Sequence, residues 1–297
     1  MRKILVAVFA GLFLLSATLV ALQQQDFSKV EIKAIPVRGN VYMLEGSGGN
    51  IGASAGEDGV LIVDSQYAPL SEKIKAALKT LNPGKMRFLL NTHHHGDHTG
   101  GNRNFGAELT IIAHRNVRQR LMTEQKRGER IIPPEPKEAW PVITVEQTLS
   151  LHFNGEEIKV MHLPNGHTDG DCMVFFTGAN VVHMGDDFFV GRFPFVDLNS
   201  GGSVDGLIKN IAHVISLLPA DVKIIPGHGA LSTLDDLKNY HRMLTTTTEL
   251  VRAKIKAGKD LKTIQTEGFP EEWKAWGTGF ISADRWIETI QQASAAK

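Results

Sequence analysis

The sequence predicts a mixed α+β fold in which β-sheets pack together and helices cover their outer faces. Three observations support this prediction: short apolar strands recur along the chain, segments of helical periodicity separate them, and the part after Thr233 has the pattern of helices. Because sheets and amphipathic helices each bury one apolar face, this order of elements suits layered sheets with helices outside, although periodicity alone does not distinguish this from other mixed architectures. The 297 residues are enough to bury a large core.

The first part of the chain has the alternating pattern of strands. Residues 30–44 predict one or two strands, and residues 51–55 and 59–64 predict a hairpin. A helix is predicted to begin at Ser71 and to end near an Asn-Pro-Gly turn. A short apolar strand over residues 86–90 follows the turn and leads into a histidine-rich segment.

The middle of the chain predicts more strands than helices. A strand is expected at residues 111–113 and a polar helix at residues 116–126. Further short strands are expected at residues 142–145, 148–153, 157–163, 172–177 and 180–183. A helix over residues 203–218 and a buried strand over residues 223–225 precede the C-terminal helices.

The N-terminus has the composition of an export signal. Arg2 and Lys3 precede a nearly uninterrupted apolar run over residues 4–22, as in a secretory signal peptide. Residues 1–22 are therefore expected to be a signal peptide, with an inner-membrane anchor as the alternative, and the protein to be periplasmic or secreted. Cys172 is the only cysteine, so no intrachain disulfide is possible, and its apolar neighbours predict a buried core position.

The charge balance bears on the class of partner. Lys plus Arg and Asp plus Glu both number 32, which gives no reason to expect nucleic acid as a partner. A small-molecule substrate is expected instead. No stable membrane partner is expected unless the N-terminal segment stays uncleaved, and the sequence leaves the oligomeric state open.

Seven side chains with metal-ligating chemistry recur in similar settings. His93 and His95 are two residues apart at a strand end, so both imidazoles can point to the same side. Asp97 and His98 follow directly after Gly96, where the chain can turn back. Three more potential ligands each follow a glycine beyond a predicted strand: His167, Asp186 and His228. Imidazoles and carboxylates suit zinc, so the pattern predicts a metal site where these strand ends converge.

The motifs resemble those of a known family. The run THHHGDHTGG at residues 92–101, with GHT at 166–168, GD at 185–186 and GHG at 227–229, resembles the metallo-β-lactamase superfamily. The resemblance covers about residues 28–232 and implies an αββα sandwich with the metals at one edge of the sheets. Residues 233–297 are then expected to form a C-terminal helical extension packed on this domain.

The same resemblance implies two Zn²⁺ ions per chain. It assigns to the first zinc the ligands His93, His95 and His167. It assigns to the second zinc the ligands Asp97, His98 and His228, with Asp186 bridging both ions. Dedicated β-lactamases carry cysteine or serine near the Asp186 position, so the aspartate favours the glyoxalase II, lactonase and other hydrolase branches.

These observations predict an exported binuclear zinc hydrolase that cleaves a carbonyl bond in a β-lactam, lactone, ester or thioester. Two zinc ions would share a hydroxide nucleophile, which Asp97 would orient while passing its proton to the leaving group. A phosphodiesterase or nuclease on the same fold is an alternative, disfavoured by the neutral charge and the export signal. A metal-binding protein without turnover is disfavoured because the ligand set is complete.

Several neighbours of the motifs are secondary candidates. Phe188, Phe193 and Phe195 follow Asp186 and are expected either to line an apolar substrate pocket or to bury their own loop. His183 is a candidate for orienting a metal ligand through a hydrogen bond.

One further histidine and one glycine-rich segment are also of interest. His94 is expected to point away from its neighbours His93 and His95 and to have a structural role. The glycine-rich residues 46–50 are a candidate flap over the site, since loops of this composition carry function and move easily.

Overall fold

The computed structural model describes residues 26–127 and 129–295, so the predicted signal peptide at residues 1–22 lies outside the described residues. None of the helices in these ranges is both long enough and apolar enough to cross a membrane. The strands in chain order are β1 (Lys33–Arg38), β2 (Val41–Glu45), β3 (Ile51–Gly56), β4 (Gly59–Val63), β5 (Met86–Leu90), β6 (Thr110–His114), β7 (Gln125–Arg127), β8 (Arg130–Ile132), β9 (Ile143–Val145), β10 (Thr148–Phe153), β11 (Glu156–His162), β12 (Cys172–Phe176), β13 (Val181–His183), β14 (Lys223–Ile225) and β15 (Ser232–Thr233).

The α-helices lie mainly between the parallel strands and at the C-terminal end. In chain order they are α1 (Ser71–Leu81), α2 (Gly96–Thr99), α3 (Asn102–Phe105), α4 (Arg115–Met122), α5 (Val204–Leu217), α6 (Leu234–Lys256), α7 (Leu261–Glu267), α8 (Glu271–Lys274) and α9 (Ala283–Ala295). Thr233 caps α6 in a capping box with Asp236, which fixes the start of the longest helix.

Most of the described strands belong to two sheets. The first has seven strands in the order β1-β2-β3-β4-β5-β6-β9, antiparallel up to β4 and parallel from β4 to β9. The second has six strands in the order β10-β11-β12-β13-β14-β15, in which β13 and β14 run parallel. The short hairpin β7–β8 stands apart from both sheets.

The two sheets pack face to face. Val63 and Leu90 of the first sheet share one buried cluster with Val174 and Ile225 of the second. On the outer side of the first sheet, Ile74 of α1 packs with apolar residues of β2 to β6. Each sheet therefore buries both of its faces, which explains why its central strands are almost uniformly apolar.

The outer face of the second sheet is covered by α5 and the C-terminal helices. Leu207 of α5, Leu244 of α6 and Trp286 of α9 lie in one apolar cluster with Val182 of β13. Trp286 also donates a hydrogen bond from Nε1 to Thr247 Oγ1 at 2.9 Å. The layers thus run helix, sheet, sheet, helix, and the predicted αββα sandwich is confirmed.

One predicted helix is shorter than the sequence pattern indicates. The helix expected over residues 116–126 ends at Met122, and Gln125 already belongs to strand β7. The Gln125 amide donates to the carbonyl oxygens of Arg120 and Thr123. These side-chain hydrogen bonds take up carbonyl oxygens that a continued helix would have bonded to backbone amides.

Candidate metal centre

The seven predicted metal-ligating side chains lie together at one edge of the sandwich. His93 and His95 follow β5, His167 follows β11, Asp186 follows β13 and His228 follows β14. Since these strands end at the same edge, residues far apart in sequence meet in two neighbouring groups. The architecture therefore places His and Asp donors from both sheets around a single centre.

The first group consists of three imidazoles and a carboxylate. One ligand atom from each of His93, His95, His167 and Asp186 lies within 4.8 Å of all the others. The Nδ1 atom of His95 lies 3.1 Å from His93 Nε2 and 2.8 Å from His167 Nε2. Three ring nitrogens converging on one point, beside a carboxylate, form a donor set that suits a divalent cation such as zinc.

The second group consists of Asp97, His98 and His228. The Nε2 atom of His228 lies 3.3 Å from Asp97 Oδ2, and His98 Nε2 lies 3.7 Å from the same oxygen. Two imidazoles and one carboxylate again converge, this time at a more exposed position. The Asp97 and His228 side chains retain about a quarter of their surface exposed, at 23% and 24%.

Asp186 lies between the two groups. Its Oδ2 is 3.6 Å from His167 Nε2 and 3.9 Å from His93 Nε2, on the side of the first group. Its Oδ1 is 3.1 Å from His98 Nε2 and 3.4 Å from His228 Nε2, on the side of the second. One carboxylate thus presents one oxygen to each group, the arrangement required of a bridging ligand.

The electrostatics of the first group also fit a metal. Burial, reinforced by the neighbouring His98, lowers the pKa of His93 well below its ordinary value. Burial likewise lowers the pKa of His167 to about 4. Both imidazoles are therefore neutral at pH 7 and keep a lone pair for coordination.

The second group carries strong negative potential. Burial alone would lower the pKa of His98 and His228, but Asp186 and its neighbours raise the first well above its ordinary value and the second to about 9. Burial would raise the pKa of Asp97, but His98 and His228 lower it to about 2. The buried atoms His98 Nε2 and Asp186 Oδ1 face each other at 3.1 Å without the geometry of a hydrogen bond. Carboxylates that attract protons to two histidines would equally attract a divalent cation.

Hydrogen-bond acceptors hold the ring nitrogens of three imidazoles that face away from the centre. His98 Nδ1 lies 2.7 Å from Asp64 Oδ2, and His95 Nε2 lies 3.0 Å from Asp197 Oδ2. His167 donates from Nδ1 to the carbonyl oxygen of Phe195 at 2.6 Å. Such contacts fix which ring nitrogen faces the metal, and they are a regular feature of metal sites.

Two glycines allow the surrounding loops to approach the ligands. A Cβ atom on Gly49 would lie 2.1 Å from His98 Cε1, and one on Gly227 would lie 2.1 Å from Asp186 Oδ1. No side chain fits at either position without displacing a ligand. The glycine-rich residues 46–50 and 226–229 thus contribute to the centre through close approach of the backbone.

A cleft of about 410 Å³ opens over the centre. Asp97, Asp186 and His228 form its reactive side. Its other walls are Ser47, Gly48, Tyr67, His95, Phe189, Arg192, Phe193, Phe195, Phe280 and Ile281. The volume is in the range of sites for small molecules.

The predicted aromatic residues divide between the cleft and the core. Phe195 lines the cleft, whereas Phe193 borders it from the core, where its side chain is 1% exposed and packs against Trp286. Phe188 does not line it: the side chain is 1% exposed and packs against Tyr240 with ring centroids 5.2 Å apart. The neighbouring Phe189 takes the place expected for Phe188, and its ring stacks on His228 at 5.4 Å. Phe188 points inward because it follows a buried turn and fills the apolar space above α6.

His183 and His94 both lie close to the centre, but their contacts differ from those expected from the sequence. His183 Nε2 lies 3.0 Å from the Asn50 carbonyl oxygen, and its Nδ1 accepts from the Gly185 amide at 3.1 Å. Both ring nitrogens of His183 therefore bond backbone atoms, which braces the chain beside Asp186. His94 lines a neighbouring cavity of about 620 Å³ that also reaches Asp97. Its position is thus beside the centre, in the wall of a second cavity.

Sequence reasoning did not identify Asp64, Asp197, Tyr67 or Phe280. Asp64 offered a signal, because it directly follows the apolar strand β4, as the candidate ligands follow their strands. It also adopts a positive φ of 67°, which turns the chain toward Thr92 and His98. The other three lie in loops without a motif, and only the folded chain brings them to the centre.

An αββα sandwich with two abutting His/Asp groups at one edge defines a metallo-hydrolase type of protein. A family model described as the metallo-beta-lactamase superfamily matches residues 35–256, and the chain belongs to this superfamily. The resemblance of the sequence motifs to this superfamily is therefore confirmed.

Individual relatives agree with this placement. The chain is 28% identical over 163 residues to a hydroxyacylglutathione hydrolase of Nitrosococcus oceani, a match covering 54% of this chain and 55% of that protein. The chain spans about half the length of the curated relatives it matches.

Solved structures share the fold. A metallo-beta-lactamase from Pontibacter korlensis matches with a TM-score of 0.62 at 13% identity, covering 72% of this chain and 99% of that one. A double mutant of a sec-alkyl sulfatase matches with a TM-score of 0.68 at 12% identity, covering 89% of this chain and 50% of that one. At these identities the likeness establishes the fold alone.

Proposed function

We propose that this protein is an exported binuclear zinc hydrolase that cleaves a carbonyl bond, with thioesters and esters ahead of lactones and β-lactams. The observation that carries the proposal is the position of Asp186, whose two oxygens face the two groups of imidazoles separately. The relatives named hydroxyacylglutathione hydrolase support a thioester. The aspartate at position 186, where dedicated β-lactamases carry cysteine or serine, supports the same branch.

The proposed ligands follow from the two groups. His93, His95 and His167 would hold one zinc, and Asp97, His98 and His228 the other, with Asp186 shared. Bound zinc supplies Lewis acidity and lowers the pKa of water toward neutrality.

The chain's own residues would complete the chemistry. Asp97 is ionised at neutral pH, since its pKa is about 2, and it faces the cleft. It can accept a proton from the attacking water and deliver it to the leaving group. Burial and then Asp97 raise the pKa of Tyr67, so its hydroxyl stays protonated and can donate a hydrogen bond within the cleft.

The test combines metal analysis with a substrate panel. We expect about two zinc ions per chain and chelator-sensitive hydrolysis of a thioester or ester, above that of a lactone and a chromogenic β-lactam. Replacing Asp97 with asparagine should lower kcat by about 10² to 10⁴-fold, measured with zinc in excess because the substitution also removes a proposed ligand of the second group. Asp235→Asn, at a side chain 90% exposed on α6, is the matched control and should change nothing.

The alternatives are decided by the same panel. Preferential cleavage of a bis-phosphodiester would favour the phosphodiesterase alternative. Fewer than about one zinc per chain, with no activity after metal addition, would refute the enzyme proposal and leave a binding protein.

Export and partners form a separate part of the proposal. The basic residues Arg2 and Lys3 before the apolar residues 4–22 support a periplasmic or secreted location, and the neutral charge supports a small-molecule substrate. N-terminal sequencing of protein recovered from the periplasm should begin close to residue 23. Recovery in the cytoplasm with an intact N-terminus would exclude export.

A further inference from the structure

The C-terminal extension supplies one wall of the cleft over the metal centre. Phe280 and Ile281, in the segment before α9, line this cleft together with Arg192 and Phe195. The extension is fixed to the loop after Asp186, since Phe193 donates its amide hydrogen bond to the Trp276 carbonyl oxygen at 3.1 Å. This backbone hydrogen bond therefore fixes the position of the C-terminal extension relative to the metal centre.

The packing at Gly279 brings the two segments close together. A Cβ atom on Gly279 would lie 3.0 Å from Arg192 Cδ, so the arginine stem packs directly on this glycine. Ile281 on the other side of Phe280 is 5% exposed and belongs to the core. Phe280 thus projects from a segment that is anchored on both sides.

Phe280 is a large apolar side chain that this anchored segment leaves exposed. It is 89% exposed, the highest value among the exposed large apolar side chains of the described residues. A single exposed apolar residue is ordinary on a protein surface. Here, however, the residue lies at the mouth of a cleft, where a bound molecule would cover it.

A chain of aromatic contacts connects Phe280 with the metal centre. Its ring lies 6.3 Å from that of Phe195 in an edge-to-face arrangement. The Phe195 ring in turn lies 5.8 Å from the rings of both His95 and His167. The cleft therefore has a reactive side of carboxylate and imidazole and an aromatic side that runs from the ligands to solvent.

We propose that Phe280, with Phe195, determines substrate specificity by binding an aryl or long alkyl group attached to the scissile carbonyl. This inference rests on the proposed function, because it takes the cleft over the centre as the catalytic cleft. The substrate class is then an ester or thioester of a hydrophobic acid. Small, wholly polar acyl groups leave the aromatic wall uncovered and gain nothing from it.

The first experiment measures binding without turnover. The metal-loaded protein is titrated calorimetrically with 3-phenylpropanamide and with propanamide, two neutral compounds that differ only in the ring. We expect Phe280→Ala to weaken binding of the phenyl compound by up to about tenfold and to leave propanamide unchanged. Phe280→Trp should restore binding, and Leu217→Ala, at an exposed apolar side chain of α5 away from the cleft, is the matched control.

The second experiment measures specificity. The ratio of kcat/KM for 3-phenylpropionyl over propionyl thioester should fall by up to about tenfold in Phe280→Ala, mainly through KM. An unchanged amide affinity or an unchanged ratio in this variant overturns the inference while hydrolysis, and hence the proposed function, stands. If the wild-type protein cleaves no acyl substrate at full metal loading, the proposed function fails, and the amide titration still decides whether Phe280 binds apolar groups.

Discussion

His98 and Asp64 form a buried pair in which His98 Nδ1 lies 2.7 Å from Asp64 Oδ2 and both side chains are fully buried. Asp64 also accepts from the amide and the hydroxyl of Thr92, at 2.8 and 2.7 Å. One carboxylate therefore orients an imidazole of the second group and fixes the segment that leads to His93. A residue outside the ligand set thus holds both groups in place.

The pair gives a first prediction about metal affinity. Asp64→Asn keeps the shape but exchanges a charged acceptor for an amide, so His98 loses its charge-assisted hydrogen bond. We expect zinc affinity at the second group to fall by about 10 to 100-fold. Competition with a chromogenic chelator measures it, with Asp58→Asn in the exposed turn between β3 and β4 as the control. Equal affinities in all three proteins would show that Asp64 has no orienting role.

The second prediction concerns the close approach of Gly49 to His98. Gly49→Ala places a methyl group 2.1 Å from the His98 ring, so the loop or the ligand must move. We expect weaker zinc binding and a loss of about 1–3 kcal/mol in unfolding free energy.

A neighbouring glycine offers the control. A Cβ on Gly96 would meet nothing within 4 Å, although this residue lies between the ligands His95 and Asp97. Gly96→Ala should therefore bind zinc normally. Urea unfolding and metal titration of both variants separate a steric effect from general sensitivity of the loop, and similar losses in both would contradict the steric explanation.

The third prediction is that Cys172 does not react in the folded protein. The thiol is buried, and burial followed by the charge of Asp171 raises its pKa well above the ordinary value. Thiolate is the reactive form, so iodoacetamide at pH 8 should leave the native protein unmodified and alkylate it fully in denaturant. Mass spectrometry counts the added groups. Rapid modification without denaturant would place the thiol at the surface.

The fourth prediction is a pH dependence of stability away from the metal centre. Burial and the stacked ring of His162, 3.8 Å away, lower the pKa of His114 to about 4. In the unfolded chain this histidine has a pKa of about 6.5. The free energy of unfolding is therefore unaffected by His114 above that pH and decreases as the pH falls from 6.5 toward 4. In this pH range the unfolded chain binds the proton, whereas the folded protein would have to place the charged imidazole of His114 in a buried position.

A variant of His114 isolates this contribution. His114 also accepts a hydrogen bond from the Asn116 amide as the cap of α4, and asparagine can replace that acceptor. His114→Asn should therefore reduce the loss of unfolding free energy between pH 6.5 and 4.5, measured in urea as the difference from the wild type. A parallel decline in both proteins would assign the acid sensitivity to other groups.

The sequence predicted that these seven side chains would lie close together, because most of them come shortly after a strand and strand ends at one edge of a sheet must meet. His167, Asp186 and His228 needed no long-range information beyond this rule. The layered fold was predictable for a similar reason, since strands that are apolar on both faces require cover on both sides.

The remaining features depend on contacts between distant segments. Asp197 meets His95 across 102 residues, and Phe280 reaches Phe195 only through the packing of the extension. Whether Phe188 or Phe189 faces the cleft depends on the turn after Asp186, which periodicity does not specify. At the early end of α4, the side-chain amide of Gln125 bonds the carbonyl oxygens of Arg120 and Thr123, a contact that periodicity does not specify.

The two groups of ligands each draw on both layers of the sandwich. His93, His95, Asp97 and His98 come from the loop after β5 in the first sheet, while His167, Asp186 and His228 follow strands of the second. A metal ion held in either group would tie one sheet to the other across their shared edge. In a chain whose single cysteine rules out an internal disulfide, such an ion would act as the cross-link, and its loss would loosen the joint between the layers before it disturbed either sheet.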